Sequence, residues 1–194
     1  MSRIPKLYGL VLAGGQSTRM GHDKGLINWH GKPQREYMAD LLMPFCQKVL
    51  ISCRADQLEE IEKRNYKGLP DIYPDSGPLG AILSAFTQKE NVAWLIVACD
   101  LPLIDSQHLA FLCAHRNPAK FATAFAAADG LPEPLLTIWE PAASPVMRAS
   151  FTAGFSSARQ LLIENGIILL KPIRAEALSN VNKQEEAAEI RKII

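Results

Sequence analysis

Short apolar runs alternate with amphipathic segments along the whole chain. The first run, residues 7–12, ends just before a pair of glycines, and the most apolar run, residues 93–99, leads directly into an aspartate. Continuous apolar runs of this length are typical of strands that are buried on both faces of a sheet. We therefore predict a strand in each place. Further strands are predicted at residues 48–53, 71–73, 121–128, 135–139 and 167–170.

Most segments between these strands carry apolar residues at helical spacing, which predicts helices. Pro33 suits the first turn of one helix and Pro78 the first turn of another, while Asp105 suits the cap of a third. The predicted helices cover residues 33–45, 56–64, 78–88, 105–115, 156–165 and 184–194. This alternation predicts a Rossmann-like α/β fold of three layers, with a mostly parallel central sheet and helices on both faces. No shift in composition divides the chain, so we expect a single domain over residues 1–194.

The composition removes several classes of protein from consideration. Lys and Arg total 21 against 20 Asp and Glu, a net charge of +1, which argues against binding to nucleic acid through overall charge. The longest apolar run, which contains residues 93–99, is far shorter than the ~20 residues that a membrane span requires. We expect no signal peptide. The cysteines lack paired spacing, which predicts free thiols in a cytoplasmic protein; they are Cys46, Cys53, Cys99 and Cys113.

The segment after the first predicted strand carries the most informative chemical pattern. Parallel sheets bind ligands beyond the carboxyl ends of their strands, and here Gly14 and Gly15 let backbone N–H groups approach an anion closely. Arg19 and Lys24 add two cations to the same loop. These are the parts of a cradle for a nucleoside triphosphate. The alternative is a glycine turn with two exposed basic residues.

Two common phosphate loops do not fit this segment. A Walker A loop requires a Gly-Lys pair followed by Ser or Thr, whereas Gly21 precedes a histidine and Lys24 precedes a glycine. The dinucleotide fingerprint requires Gly-x-Gly-x-x-Gly, and the glycine spacing here is different. The sequence therefore argues against a P-loop NTPase and against a dehydrogenase.

Residues 12–24 resemble, position for position, the signature LAGGxSxRMGxDK of the molybdenum cofactor guanylyltransferases, which belong to the nucleotidyltransferase superfamily. The resemblance implies a nucleotidyltransferase fold, and it implies that Arg19 and Lys24 take part in catalysis. The implied nucleotide contacts of this segment are Leu12, Ala13, Gly14, Gly15 and Lys24. The double glycine and the Asp-Lys pair favour the guanylyl branch over the cytidylyltransferases of the same pathway, which typically carry Ala-Gly there.

Asp100 directly follows the most apolar predicted strand, where an α/β sheet presents its ligand. Mg2+ prefers oxygen ligands and often takes one or two protein carboxylates, with water and phosphate completing its shell. The resemblance extends to Cys-Asp-x-Pro at this position. It implies that Asp100 is a catalytic residue that binds Mg2+ and contacts the nucleotide. The alternative is a turn aspartate that bonds to its own backbone.

Residues 75–80 follow the third predicted strand and resemble the family's Gly-Pro-Leu-x-Gly segment, which lines the nucleotide site. Gly80 lets a planar base lie close to the backbone of this turn. Asp75 is implied to accept hydrogen bonds from the N1–H and N2–H2 groups of guanine. Ala81 stands where the family often has its second glycine. The alternative for Asp75 is the cap of the following helix.

Two further residues resemble family positions on the acceptor side. Asn182, in the sequence Asn-Val-Asn, is implied to contact the pterin or, alternatively, caps the last helix. Glu133, in Glu-Pro-Leu, is implied to face the pterin, or it serves only the local structure. Arg54 stands where the family often has an asparagine, and it either reaches a phosphate or is a solvated surface side chain. The four histidines form no metal-ligand pattern.

The resemblance implies a cytoplasmic, monomeric guanylyltransferase that transfers GMP from GTP to the phosphate of molybdopterin or of its molybdenum-loaded form, with Mg2+ as cofactor. Its small-molecule partners would be GTP and molybdopterin, with transient contacts to molybdoenzymes or cofactor-insertion proteins and with no nucleic acid or membrane. Three alternatives stay open: a cytidylyl- or sugar-phosphate nucleotidyltransferase of the same fold, a non-catalytic GTP-binding protein, and a carrier that docks the cofactor.

Overall fold

A seven-stranded sheet forms the centre of the protein. The computed structural model describes residues 4–14, 23–74, 76–155, 157–181 and 184–194. Within them the strands lie side by side in the order β3-β2-β1-β4-β6-β5-β7. The strands are β1 (Leu7–Leu12), β2 (Val49–Cys53), β3 (Gly68–Pro70), β4 (Ala93–Ala98), β5 (Ala122–Ala126), β6 (Pro132–Trp139) and β7 (Ile168–Leu170).

Most neighbouring strands run in the same direction. β1 lies between β2 and β4 and is parallel to both, while β2 is parallel to β3 and β5 is parallel to β7. Among the described strands, β6 alone runs antiparallel to its neighbours β4 and β5. The predicted α/β fold with a mostly parallel sheet is confirmed.

Helices cover both faces of the sheet. Those described are α1 (Gln34–Leu42), α2 (Leu58–Lys63), α3 (Gly77–Gln88), α4 (Ser106–Ala114), α5 (Ala143–Thr152), α6 (Ala158–Glu164) and α7 (Gln184–Ile190). Val11 of β1 belongs to a core with Met38 of α1 and Leu109 of α4. Its neighbour Leu10 belongs to a second core with Ile82 of α3. Because successive strand residues point to opposite faces, one strand contributes to both cores, which gives the predicted three layers.

Two elements differ from the prediction. The third strand covers Gly68–Pro70, so the predicted strand at residues 71–73 is wrong; those residues form the turn that leads to α3. β3 is a short edge strand with a glycine and a proline, and it is held by pairing with β2 rather than by local propensity. α5 was not predicted, because it contains Pro145 and buries only Ala143, Ser144 and Met147, which is too short an apolar stripe to recognise. The other predicted elements overlap the observed ones.

The register of the sheet decides where ligands can bind. Leu12 at the end of β1 pairs with Ala98 at the end of β4, so the residues that follow these strands lie next to each other at the carboxyl edge. The four cysteines are free, as predicted. No helix in the described part of the chain has the length and apolar content needed to span a bilayer.

Candidate active site at the carboxyl edge of the sheet

Lys24 and Asp100 face each other at this edge. Lys24 begins a 3-10 helix, Lys24–Leu26, and Asp100 follows β4. The distance between Lys24 Nζ and Asp100 Oδ2 is 3.6 Å, and the two side chains are only 23% and 18% exposed. The parallel pairing of β1 with β4 therefore brings together two residues that are far apart in sequence, and both were predicted to belong to the site.

Asp100 presents an oxygen that no other described residue satisfies. Within the described part of the chain, its Oδ1 atom is buried and has no hydrogen-bond partner. Burial raises the pKa of the Asp100 carboxyl group, and the nearby Lys24 ammonium partly opposes this rise. A buried carboxylate oxygen without a partner costs free energy, on the order of 1–3 kcal/mol, unless a ligand compensates it. A divalent cation with oxygen preference supplies that compensation, so the observed donor fits Mg2+.

The surroundings of Asp100 limit how many protein ligands such a cation takes. The described residues contain no group of three or more His, Cys, Asp or Glu side chains that could hold a metal ion. Mg2+ is commonly held by one or two carboxylates, with the remaining positions filled by water and substrate phosphates. One aspartate beside a phosphate site is therefore a sufficient donor set for Mg2+.

Asp23, which precedes Lys24, has a structural role that the sequence did not indicate. Its Oδ1 atom accepts a hydrogen bond of 2.8 Å from the backbone N–H of Gly25 and so caps the 3-10 helix that begins at Lys24. Its Oδ2 atom accepts a second hydrogen bond, from the side-chain amide of Gln57. The Asp-Lys pair thus combines a capping residue with the lysine that faces Asp100. Gln57 was not singled out in the sequence.

The glycine loop begins close to the end of β2. The backbone N–H of Ala13 donates to the carbonyl of Ser52 at 3.2 Å. A Cβ atom on Gly14 would lie 3.3 Å from the carbonyl carbon of Cys53, so this close approach favours glycine. Leu12 and Ala13 lie at the carboxyl edge as predicted, while Gly15 and Arg19 lie outside the described residues. The nucleotide contacts assigned to this loop stay predictions.

Gly80 lies in the first turn of α3 and packs against the preceding turn. A Cβ atom at this position would lie 2.7 Å from the carbonyl oxygen of Tyr73 and 2.8 Å from Cβ of Ser76. The observed need for glycine is therefore internal packing, and the contact of Gly80 with a nucleotide stays a prediction. Asp75 lies outside the described residues. Ser76, the N-cap residue, makes no side-chain capping hydrogen bond.

Gly80→Ala is expected to destabilise the protein by about 1–3 kcal/mol, because the added methyl group meets backbone that cannot rotate away. Gly166→Ala is the matched control, since a Cβ atom there meets nothing within 4 Å. Urea denaturation measures both changes. Equal free energies of unfolding for the two variants would show that the turn before α3 shifts to accommodate the methyl group without loss of stability.

Glu133 lies at the start of β6 on the same edge as Asp100. Its side chain is buried and accepts a hydrogen bond of 2.9 Å from the backbone N–H of Leu135, and Arg159 Nη2 lies 3.5 Å from its Oε2. Burial raises the pKa of Glu133, and the negative charge of Asp100 raises it further. The structure therefore gives Glu133 local partners and places it within electrostatic reach of Asp100. A contact with the pterin stays a prediction.

The segment before α7 also returns to this edge. The backbone N–H of Val181 donates to the backbone carbonyl of Asp100 at 2.9 Å, and the Val181 side chain is buried. Asn182, the next residue, lies outside the described residues, and its contact with the pterin stays a prediction. The hydrogen bond of Val181 shows that the chain passes next to Asp100 at this residue.

Arg54, at the end of β2, makes a surface ion pair. Its guanidinium group lies 3.1 Å from Asp56 Oδ1, and both side chains are exposed. Of the two interpretations offered for Arg54, the structure supports the solvated surface side chain. Its backbone N–H has a separate partner, the side-chain oxygen of Gln57.

The fold and the site together define the class of protein. Gly14 after β1, Lys24 and a largely buried aspartate after β4 share the ligand-binding edge of a mostly parallel sheet. This arrangement is that of an α/β nucleotidyltransferase. The chain belongs to the MobA-like NTP transferase family, whose domain model matches residues 9–167. The predicted resemblance is confirmed.

Named relatives agree with this assignment. A molybdenum cofactor biosynthesis bifunctional protein of Synechocystis sp. is 36% identical over 191 residues, which is 98% of this chain and 55% of its own length, so this chain spans about half of that relative. A probable molybdenum cofactor guanylyltransferase of Flavobacterium johnsoniae is 27% identical over 182 residues, which is 93% of this chain and 94% of its own length.

A solved structure shows the same fold. The crystal structure of molybdopterin-guanine dinucleotide biosynthesis protein A from Archaeoglobus fulgidus matches with a TM-score of 0.79 at 19% sequence identity. The match covers 96% of this chain and 97% of that one. The predicted nucleotidyltransferase fold is therefore confirmed.

Proposed function

We propose that this protein is a guanylyltransferase that transfers GMP from GTP to the phosphate of molybdopterin or of its molybdenum-loaded form, with release of pyrophosphate. The observation that carries the proposal is the pair of Lys24 and Asp100, 3.6 Å apart and largely buried at the ligand-binding edge, with one Asp100 oxygen that has no partner among the described residues. The names of the relatives support guanine as the base and the molybdenum cofactor as the pathway.

The reaction requires positioning and charge neutralisation rather than a general base. The acceptor phosphate is already anionic at neutral pH, so its oxygen attacks the α-phosphorus of GTP directly. The new bond joins that oxygen to the α-phosphorus, and the bond from the α-phosphorus to the bridging oxygen breaks, so that the electron pair leaves with pyrophosphate. Such a transfer is accelerated by orientation and by cations placed where negative charge develops.

Each proposed residue has one task in this scheme. Lys24 neutralises charge on the leaving pyrophosphate, together with Arg19 and the backbone amides of Gly14 and Gly15. Asp100 holds Mg2+, which supplies positive charge to the phosphates when it is bound. Asp75 selects guanine, while Glu133 and Asn182 border the pterin. We further propose a cytoplasmic location, which agrees with four free cysteines.

Pyrophosphate release tests the proposal directly. The purified protein is incubated with GTP, CTP or ATP and Mg2+, each with and without molybdopterin. We expect release with GTP and molybdopterin together. Release with CTP would indicate a cytidylyltransferase, and GTP binding without release would indicate a non-catalytic GTP-binding protein. Pterin binding that is independent of any nucleotide would indicate a carrier of the cofactor.

Lys24→Ala is expected to weaken GTP binding and turnover together, each by about 10- to 100-fold, because a charge-assisted contact with phosphate is lost. Titration with GTP and steady-state kinetics measure the two effects. Lys63→Ala is the control, since Lys63 is an exposed lysine that pairs only with Glu59 among the salt bridges of the described residues. If GTP and Mg2+ stabilised Lys24→Ala against heat as much as they stabilise the wild type, Lys24 would not be a phosphate ligand.

A further inference from the structure

We propose that Gln57 is a positioning residue for nucleotide binding, which holds the turn that carries Lys24 at a fixed place relative to the end of β2. This inference rests on the proposed function, because it concerns the lysine that binds the phosphates of the nucleotide. Gln57 is not proposed as a catalytic residue, because its side-chain hydrogen bonds go to Asp23 and to the backbone of Arg54. Its effect is exerted through Asp23, the residue before Lys24.

Both polar groups of the Gln57 side-chain amide form hydrogen bonds, and the partner of each group fixes whether it donates or accepts. The side chain is buried, with 6% of the residue exposed. Its Nε2 donates to Asp23 Oδ2 at 2.5 Å, and its Oε1 accepts from the backbone N–H of Arg54 at 2.9 Å. A carboxylate only accepts and a backbone N–H only donates, so the amide orientation is fixed by its partners. The side chain is therefore a directional link between two segments of the chain.

The two linked segments both adjoin described parts of the proposed phosphate site. On one side, Asp23 caps the 3-10 helix whose first residue is Lys24. On the other side, the backbone of Cys53 and Arg54 is the surface against which Gly14 packs, at 3.3 Å and 3.6 Å from a Cβ atom built on that glycine. Gln57 thus joins the lysine to the start of the glycine loop through the end of β2.

This link matters because a lysine side chain has many rotamers. Holding the ammonium group in one place costs side-chain entropy, about 2 kcal/mol for a fully fixed lysine. A backbone that also moved would add to the cost of ordering Lys24 on a nucleotide. Asp23 restrains that backbone from one residue away, with one oxygen on Gly25 N–H and the other on Gln57. The loss of Gln57 should therefore appear first as weaker nucleotide binding.

An exchange of donor and acceptor tests the link. Gln57→Glu keeps the acceptor for Arg54 N–H but sets a carboxylate against Asp23, and we expect the dissociation constant for GTP to rise about 10-fold or more. The double variant Asp23→Asn with Gln57→Glu restores a hydrogen bond in the reverse direction, from the asparagine amide to the glutamate. We expect it to bind GTP within about 3-fold of the wild type. Gln47→Glu, the same change on an exposed turn at the opposite edge of the sheet, should have no effect.

A second comparison separates positioning of Lys24 from general stability. In the Lys24→Ala background, Gln57→Glu should weaken GTP binding by less than about 2-fold, because the group on which it acts is gone. Titrations of GTP without acceptor give the binding constants, and thermal denaturation without ligand reports the fold. If Gln57→Glu does not fold, Gln57→Met replaces it as a neutral side chain of similar length that forms no such link, with a binding loss that is again expected to vanish in the Lys24→Ala background.

The outcomes are distinguishable. Wild-type GTP affinity in both Gln57 variants, failure of the exchange to restore binding, or an equal loss with and without Lys24 would each overturn the role of Gln57 and leave the proposed function standing. Absence of GTP binding by the wild type would overturn the proposed function and this inference together. The inference is supported if Gln57→Glu weakens GTP binding, if the double variant Asp23→Asn with Gln57→Glu restores it, and if the effect disappears in the Lys24→Ala background.

Discussion

Asp100→Asn is expected to lower turnover by at least about 100-fold, equivalent to roughly 3 kcal/mol of transition-state stabilisation. Asparagine keeps the size of the side chain but removes the negative charge that we propose holds Mg2+ beside the phosphates. It also sets an amide N–H2 group or a neutral oxygen in front of the Lys24 ammonium, 3.6 Å away in the present structure. Turnover is measured as pyrophosphate release with GTP and molybdopterin over a range of Mg2+ concentrations.

The same substitution should leave the protein folded. Burial raises the pKa of Asp100 above its ordinary value, which means that the folded state without ligand binds the proton more tightly than the unfolded chain does. The ionised carboxylate therefore lowers stability at neutral pH, and that penalty is relieved as the pH falls through the raised pKa. A neutral asparagine removes the penalty at every pH. A normal melting temperature with lost turnover is the expected pair of results, and near-normal turnover would remove Asp100 as the metal ligand.

Some residues of the candidate site could be predicted from the sequence around them, whereas their meeting at one edge could not. Gly14 and Asp100 were predicted because each closely follows a strand that could be recognised from its own residues, and Lys24 because it lies in the loop after the first strand. That their segments meet depends on β1 pairing with β4, and alternation of strands and helices does not specify which strands are neighbours. The resemblance supplied what the pattern alone could not, because the loop signature and the Cys-Asp-x-Pro segment belong to one family.

The role of Gln57 could not be predicted from the sequence, for a different reason. Its only sequence signal is an ordinary polar residue near the start of a short helix, and its partner Asp23 lies 34 residues earlier. A cap such as Asp23 leaves one oxygen for a tertiary contact, and the sequence does not show what fills it. Residues that position others through side-chain hydrogen bonds between distant segments therefore become visible only in the fold.

The elements that were missed belong to the periphery of the sheet. β3 pairs on one edge only, and α5 covers a short stretch of the core through Ala143 and Met147. In both, tertiary contacts decide the structure and the local pattern is weak. The strands that carry the site, β1 and β4, lie at the centre of the sheet, where near-continuous apolar runs identify strands clearly.

Arg116→Met is expected to destabilise the fold by about 3–5 kcal/mol, because it leaves a buried carboxylate without its partner. Glu140 is fully buried at the end of β6, and the Arg116 guanidinium binds it with two hydrogen bonds of 2.6 Å and 2.9 Å. Arg116 also donates to the carbonyl of Pro5, just before β1, at 3.0 Å. This pair therefore joins the amino end of β1 to β6, on the edge of the sheet opposite the candidate active site.

The loss should concern stability and not chemistry, the reverse of the result for Asp100→Asn. Urea denaturation gives the change in free energy of unfolding, and turnover is compared at a temperature where both proteins are folded. Arg148→Met is the matched control, since Arg148 pairs with Glu90 at the surface and should contribute less than about 1 kcal/mol. Replacing Arg116 and Glu140 together by methionine should cost less than Arg116→Met alone, because no unpaired charge is then left inside. A change in Arg116→Met no larger than that of the surface control would show that water reaches Glu140 in the folded protein.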